Sequence, residues 1–177
     1  MRLDLVNHRP SDDILELVTE TNRADERPIV VREMMQEDAE AVAHLTVQLG
    51  YSRTPEEIAA WLAHLDRNAA EQAAFVACLD SEIVGWIEVS IERRLQSAAY
   101  AMIGGLVIAE MVRGRGIGQL LCQHVEQWTW DHGIDTLRVT SRSTRAGAHR
   151  FYLRDAYREV KTSLVFEKDN PRKANRP

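Results

Sequence analysis

Between residues 113 and 118 the chain reads Arg-Gly-Arg-Gly-Ile-Gly, with a glycine at every second position. This run constrains the fold more than any other. Inside a helix or strand each glycine would forfeit roughly 0.5–1 kcal/mol relative to alanine. Glycines at alternate positions instead suit a turn whose backbone N–H groups converge on one object. The apolar stretch Leu106-Val107-Ile108 leads towards the turn and reads as a buried strand. From Gly118 to His132 the pattern is helical, with Leu120, Leu121, Val125 and Trp128 on one face. A nest of amides at a helix N-terminus binds anions, because its donors are unpaired and the helix dipole adds positive potential. Arg113 and Arg115 add full charges. The expected ligand of Arg113, Gly114, Arg115, Gly116, Ile117 and Gly118 is a phosphate or pyrophosphate. The spacing lacks GxxxxGK[ST] and GxGxxG, which speaks against a P-loop nucleotidase and a dinucleotide-binding turn. The residues alone leave two alternatives: a glycine-rich turn with solvated arginines, and a phosphate nest for another nucleotide.

Around this centre the elements follow in order. Ile29–Glu33 reads as a strand and Glu37–Gly50 as a helix, with Gly50 at the left-handed stop position. Thr54-Pro55-Glu56-Glu57 has the form of a capping box with proline at the first helical position, opening a helix through Ile58, Trp61, Leu62 and Leu65. Residues 73–79 and 83–91 read as strands joined tightly through Asp80-Ser81-Glu82, hence an antiparallel hairpin. Ala98–Ile108 is a further strand, and its central Gly104-Gly105 pair predicts a bulge or a close approach to the backbone. Residues 136–141 form a strand, 145–154 a short helix, and 157–167 alternate as a final strand. The expected fold is a mixed α/β domain, one compact unit over 29–167, with one right-handed parallel crossover between residues 101 and 141. Residues 1–28 carry four arginines against seven acidic residues and read as an N-terminal extension, with a helix after Ser11. Residues 168–177 read as a frayed tail.

Composition narrows the function classes. The chain has 177 residues and a net charge of -5, without the basic excess of a nucleic-acid binder. The longest stretch without a formal charge, Leu95–Ala109, is shorter than the roughly 20 apolar residues of a spanning helix. The first residues hold no apolar run ahead of their charges, so neither a signal peptide nor a membrane association is expected, and the location expected is cytoplasmic. Cys78 and Cys122 lie among apolar neighbours and read as reduced core thiols. No metal-ligand spacing is present.

Gly105-Leu106-Val107-Ile108, the run at 113–118, the helix after it and Ser141-Arg142-x-x-Arg145-Ala146-Gly147-Ala148-His149-Arg150-Phe151-Tyr152 together resemble the GNAT N-acetyltransferase superfamily. Arg113, Gly116 and Gly118 match its R-x-x-G-x-G element. Residues 29–51, with Arg32 six before Asp38, look like its usual strand-to-helix opening. Within the superfamily the sequence is most similar to the bacterial aminoglycoside 6'-N-acetyltransferase-like group. The resemblance implies a central, mostly antiparallel sheet flanked by helices, with one parallel strand pair splayed apart, and acetyl-CoA as cosubstrate. It implies that the backbone of Leu106, Val107 and Ile108 pairs with the pantetheine arm and that the turn at 113–118 holds the pyrophosphate. Two positions depart from the family pattern: Arg145 stands where asparagine is usual, and Ala156-Tyr157 where Gly-Phe or Gly-Tyr is usual.

The implied reaction is attack of a primary amine on a thioester. An alkyl amine with a pKa near 10.4 is only about 0.04% neutral at pH 7, a deficit on the order of 4–5 kcal/mol. A base is therefore useful. Glu88, inside an otherwise apolar strand, is the candidate, with an exposed glutamate as the alternative reading. Trp86 shares its face. By the resemblance Tyr152 is the general acid, with Phe151 pointing elsewhere. Glu110 reads as solvated, and His124, His132 and His149 as packing or surface residues. The acceptor is expected to be a small-molecule or peptide amine read by residues 50–72 and 92–100. A homodimer is compatible with the free edges. A non-catalytic CoA-binding or interaction module is the alternative function.

Overall fold

The computed structural model describes residues 27–170. The helix expected after Ser11 lies outside them, as does most of the expected tail. The described chain falls into two compact units, one ending at Val139 and one beginning at Thr140.

The first unit is built on a five-stranded sheet: β1 (Ile29–Glu33), β2 (Gln72–Leu79), β3 (Glu82–Arg94), β4 (Ser97–Ile108) and β5 (Leu137–Val139), adjacent in that order. The first four run antiparallel and β5 joins β4 in parallel. Helix α1 (Ala39–Thr46), flanked by 3-10 turns, and helix α2 (Pro55–Asp66) separate β1 from β2. Helix α3 (Ile117–Asp131) forms the crossover from β4 to β5.

The local signals act as expected. Thr54 Oγ1 accepts the Glu57 amide at 3.2 Å while the Glu57 carboxylate accepts the Thr54 amide at 3.0 Å, so two helix-end donors are satisfied reciprocally. Gly50 is left-handed at φ 88°. Asp38 is only 3% exposed and binds the Arg32 guanidinium through both oxygens, at 2.7 and 2.8 Å. It also accepts the Met35 amide at 2.7 Å. Burial by itself would raise the Asp38 pKa, but Arg32 and the Met35 amide outweigh it and hold the carboxyl below its ordinary value. This part-buried ion pair fixes the turn from β1 into α1.

The core lies on both sheet faces. Ala74, Val76, Cys78, Trp86 and Val107 pack with Val42, Leu45, Ile58, Leu62 and Leu65 of α1 and α2. Alternate strand residues point the other way, where His124 of α3 meets the Phe75 ring edge-on at 4.7 Å. Both cysteines are buried and neither forms a disulfide.

The second unit holds α4 (Ala146–Arg154). The strand expected at 157–167 is not formed: those residues have no regular secondary structure, and Val160, Leu164, Val165 and Phe166 are exposed. Alternation specifies which side chains would share a face, but a strand also needs a ladder partner. Among the described residues none pairs with this segment. No helix among the described residues is long and apolar enough to cross a membrane.

Candidate active site

Strand β4 is paired on one side along most of its length with β3, from Ser97 to Ile108. On its other side β5 covers only Ala101, Met102 and Ile103. From Gly104 to Ile108 no strand pairs with that second edge among the described residues. This is the divergence expected where a ligand is to lie beside Leu106, Val107 and Ile108.

The open edge leads into the glycine turn. Gly114 and Gly116 are left-handed, at φ 82° and 80°. A Cβ at either would meet nothing within 4 Å, so glycine is required there by backbone conformation and not by packing. Gly116 is the N-cap of α3 and Ile117 its first residue, and no side chain caps the helix. Among the described residues the amides of Gly114, Arg115, Gly116, Ile117 and Gly118 donate to no intramolecular acceptor. Five unmet donors at the start of a fifteen-residue helix are an arrangement suited to an anion, a candidate cradle.

Arg113 behaves differently from the other members of the turn. Its amide donates to Glu110 O at 3.3 Å. Its guanidinium donates to Ile108 O, to the Glu110 carboxylate and to Gln48 Oε1, each at 3.2 Å. Glu110 supplies a carboxylate one helical turn earlier, so Arg113 folds back as a brace instead of facing the cradle. Arg115 is exposed and makes no ion pair among the described residues.

Upstream on β4 the glycine pair forms the expected bulge. Glu88 pairs with Gly105 and Val89 with Ile103, leaving Gly104 as the extra residue. Both glycines are required by close approach. A Cβ at Gly104 would stand 2.5 Å from Glu88 Oε1, and one at Gly105 would stand 2.7 Å from two ring carbons of Trp86. Glu88 is thus folded over Gly104 on the sheet face that carries α1 and α2. Burial raises its pKa, partly offset by the positive charge of Arg53. The exposed-glutamate reading does not hold.

A cavity of about 120 Å³ opens beside this carboxylate. Trp61 from α2, Gln72 from β2, Glu88, Val89 and Ser90 from β3, and Gly104 line it. Trp86 does not line it but packs over Gly105, with its indole Nε1 buried and unpartnered. Gln72 Oε1 is also buried without a hydrogen-bond partner. Trp61 and Gln72 fall within the segment 50–72 expected to read the acceptor, although the sequence singles out neither of them, and Ser90 reads as an ordinary alternating polar residue.

Tyr152 lies on α4 in the second unit, half-buried, with its ring edge-on to Phe151 at 5.1 Å and to Tyr157 at 5.4 Å. His149 Nε2 lies 3.0 Å from the Arg142 carbonyl. His132 stacks on Trp128, with ring centroids 4.1 Å apart. Burial lowers the His124 pKa. No group of side chains among the described residues is arranged to hold a metal ion.

Residues 12–156 match the sequence profile of the Acetyltransferase (GNAT) family. The chain belongs to this family. An aminoalkylphosphonate N-acetyltransferase of Salmonella typhimurium is 31% identical over 85 residues, covering 48% of this chain and 55% of that protein. The chain therefore matches about half the length of this curated relative. Among solved structures, a transcriptional regulator from Bacillus halodurans superposes with a TM-score of 0.69 at 24% identity, over 79% of this chain and 99% of that one. The aminoglycoside N-acetyltransferase AAC(6')-Iy, solved in complex with CoA, superposes with a TM-score of 0.71 at 18% identity, over 79% of this chain and 94% of that one. At these identities the two structures testify to the fold. The GNAT architecture accounts for the short β4–β5 pairing and for the sheet order.

Proposed function

We propose that this GNAT chain transfers the acetyl group of acetyl-CoA to a primary amine. The observation that carries the reading is the open edge of β4 at Gly104–Ile108, which runs from a half-buried carboxylate at one end to five unmet amides at the other. Acetyl-CoA supplies a thioester carbonyl for attack and a thiolate leaving group. The residues present fit such a molecule. The backbone of Leu106, Val107 and Ile108 offers ladder groups to an extended amide-bearing arm, as an added strand would find them. The amides of Gly114 to Gly118 hold a diphosphate, with Arg115 adding charge from outside.

The chemical roles divide as follows. Glu88 accepts a proton from the bound ammonium, its raised pKa bringing it nearer the working range of a general base. The neutral nitrogen forms the new C–N bond as the C–S bond breaks, and it loses a second proton to solvent as it becomes an amide. On the family resemblance, Tyr152 donates its phenolic proton to the departing sulfur and is reprotonated from solvent. The relative's name, aminoalkylphosphonate N-acetyltransferase, suggests small aliphatic amines as the first acceptors to try.

Thiol release from acetyl-CoA over a panel of primary amines tests this reading. At least one amine is expected to release CoA stoichiometrically with acetylated product. Gly116→Asp places a carboxylate in the cradle and forces a side chain onto a left-handed backbone. Calorimetry is expected to show CoA affinity reduced by about 100-fold or more, since several charge-assisted hydrogen bonds are lost together. Undiminished affinity would refute the cradle, and a panel without turnover would leave a non-catalytic CoA-binding module.

A further inference from the structure

We infer that Gln72 is a specificity-determining residue of the acceptor site, holding a protonated primary amine jointly with Glu88. The inference rests on the acetyltransferase reading above and names what its acceptor cavity selects.

The geometry follows from strand register. Gln72 of β2 is paired with Ser90 of β3, and Ala74 with Glu88. Cross-strand partners point to the same face, so Gln72, Ser90 and Glu88 project together beneath Trp61. Two acceptors thus share one small cavity. The Glu88 carboxylate lies over Gly104, and the Gln72 amide oxygen is buried with nothing to accept from. A buried carbonyl without a donor is destabilising, by about 1–3 kcal/mol in general. Gln72 lines the cavity beside that carboxylate, so a small turn of its amide brings this oxygen to a donor held there.

A ligand group that serves both acceptors must bring at least two donor hydrogens and, to meet the carboxylate, a positive charge. A hydroxyl has one proton and can satisfy only one acceptor. A quaternary ammonium has charge but no N–H. A primary ammonium has three, one for Glu88, one for Gln72 and one left over. The cavity volume of about 120 Å³ holds an aminomethyl head and a few further atoms, at about 30 Å³ per water-sized unit. Trp61 supplies apolar wall for the adjoining methylenes. When Glu88 takes one proton for catalysis, Gln72 keeps its hydrogen bond to the remaining N–H and holds the nitrogen in place. Gln72 therefore acts on acceptor binding more than on the chemical step.

The test compares wild type with Gln72→Met, which keeps length and removes the acceptor, using n-propylamine as the probe acceptor at saturating acetyl-CoA. The expected result is a KM for n-propylamine raised about 10–100-fold, the range for losing one hydrogen bond to a charged group. The kcat and the KM for acetyl-CoA should stay within about threefold. The melting temperature should hold or rise, because an unmet buried acceptor is gone. A purely structural glutamine would instead lower it. Gln72→Glu sets a second carboxylate beside Glu88, and the acid limb of kcat/KM is expected to move to higher pH. Binding is read separately from turnover by the Trp61 indole N–H resonance. It should shift saturably with n-propylammonium but not with tetramethylammonium. An unchanged KM in Gln72→Met, or tetramethylammonium titrating like n-propylammonium, would overturn the assignment while leaving acetyl transfer intact. Gln72-dependent binding without any turnover would overturn acetyl transfer and leave the assignment standing.

Discussion

Gly104 and Gly105 are neighbours that should fail in different ways when each is replaced by alanine. At Gly104 the new Cβ would stand 2.5 Å from Glu88 Oε1, 3.1 Å from its Cδ and 3.2 Å from its Cγ. Ordinary contact begins near 3.4 Å, so the carboxylate must retreat by about 1 Å. It is the free end of a flexible side chain beside a cavity, and it has room to do so. The loss of stability should sit near the low end of the overpacking range, about 1 kcal/mol. Displacing a catalytic group by about 1 Å is costly in rate, on the order of 10²-fold. At Gly105 the obstacle is the Trp86 ring, met at 2.7 Å by two of its atoms and only 8% exposed. That ring cannot swing aside, so the penalty should reach the upper end, about 3 kcal/mol. Melting curves and steady-state kinetics on both variants read the contrast. Gly104→Ala should melt within about 2–4 °C of wild type and lose kcat, whereas Gly105→Ala should melt about 6–12 °C lower. If Gly104→Ala keeps kcat within about twofold, Glu88 is not the base. If it melts as low as Gly105→Ala, the Glu88 contact is structural.

Two further outcomes concern the frame. Asp38→Asn should destabilise the fold by about 2–3 kcal/mol, less than a fully buried pair because the Arg32 side chain is 32% exposed. Because the Asp38 pKa is lowered in the fold, its contribution is present above the ordinary carboxylate value near 3.9 and fades as pH falls through the folded value. Denaturant titrations between about pH 5 and 2 should therefore show a flatter decline for Asp38→Asn than for wild type, and parallel curves would refute the ion-pair account. Ala156 is left-handed at φ 62°, so Ala156→Gly should stabilise by about 0.5–1 kcal/mol. An unchanged or lower melting temperature would show that no strain is held there.

Much of the frame was readable because its signals are local. The capping box at Thr54–Glu57, the left-handed stop at Gly50 and the bulge at Gly104 each follow from a few adjacent residues. So does the discomfort at Ala156, where the family pattern has glycine and the chain does turn left-handed. The spacing of Arg32 and Asp38 marks the strand-to-helix opening by resemblance, while the pairing of the two side chains is a finding of the structure. What failed was non-local. Residues 157–167 alternate well enough to be a strand, yet alternation says nothing about a partner edge. The cavity was half seen: Glu88 stands out as a charge in an apolar strand. Gln72 and Trp61 join it only through the β2–β3 register and the packing of α2. Arg113 was read by its charge, and nothing in its spacing distinguished an arginine facing an anion from one clasping Glu110 and Gln48.

An edge left open for one guest is open to any extended peptide that drifts past. The rim of β4 that no strand pairs with among the described residues is thus a point of vulnerability to self-association as well as the binding edge proposed above. The chain blunts it in two ways: a glycine pair with poor strand propensity begins it, and Arg113 occupies the last carbonyl, at Ile108. Keeping the protein saturated with CoA during purification should therefore suppress aggregation more than its gain in melting temperature alone would explain.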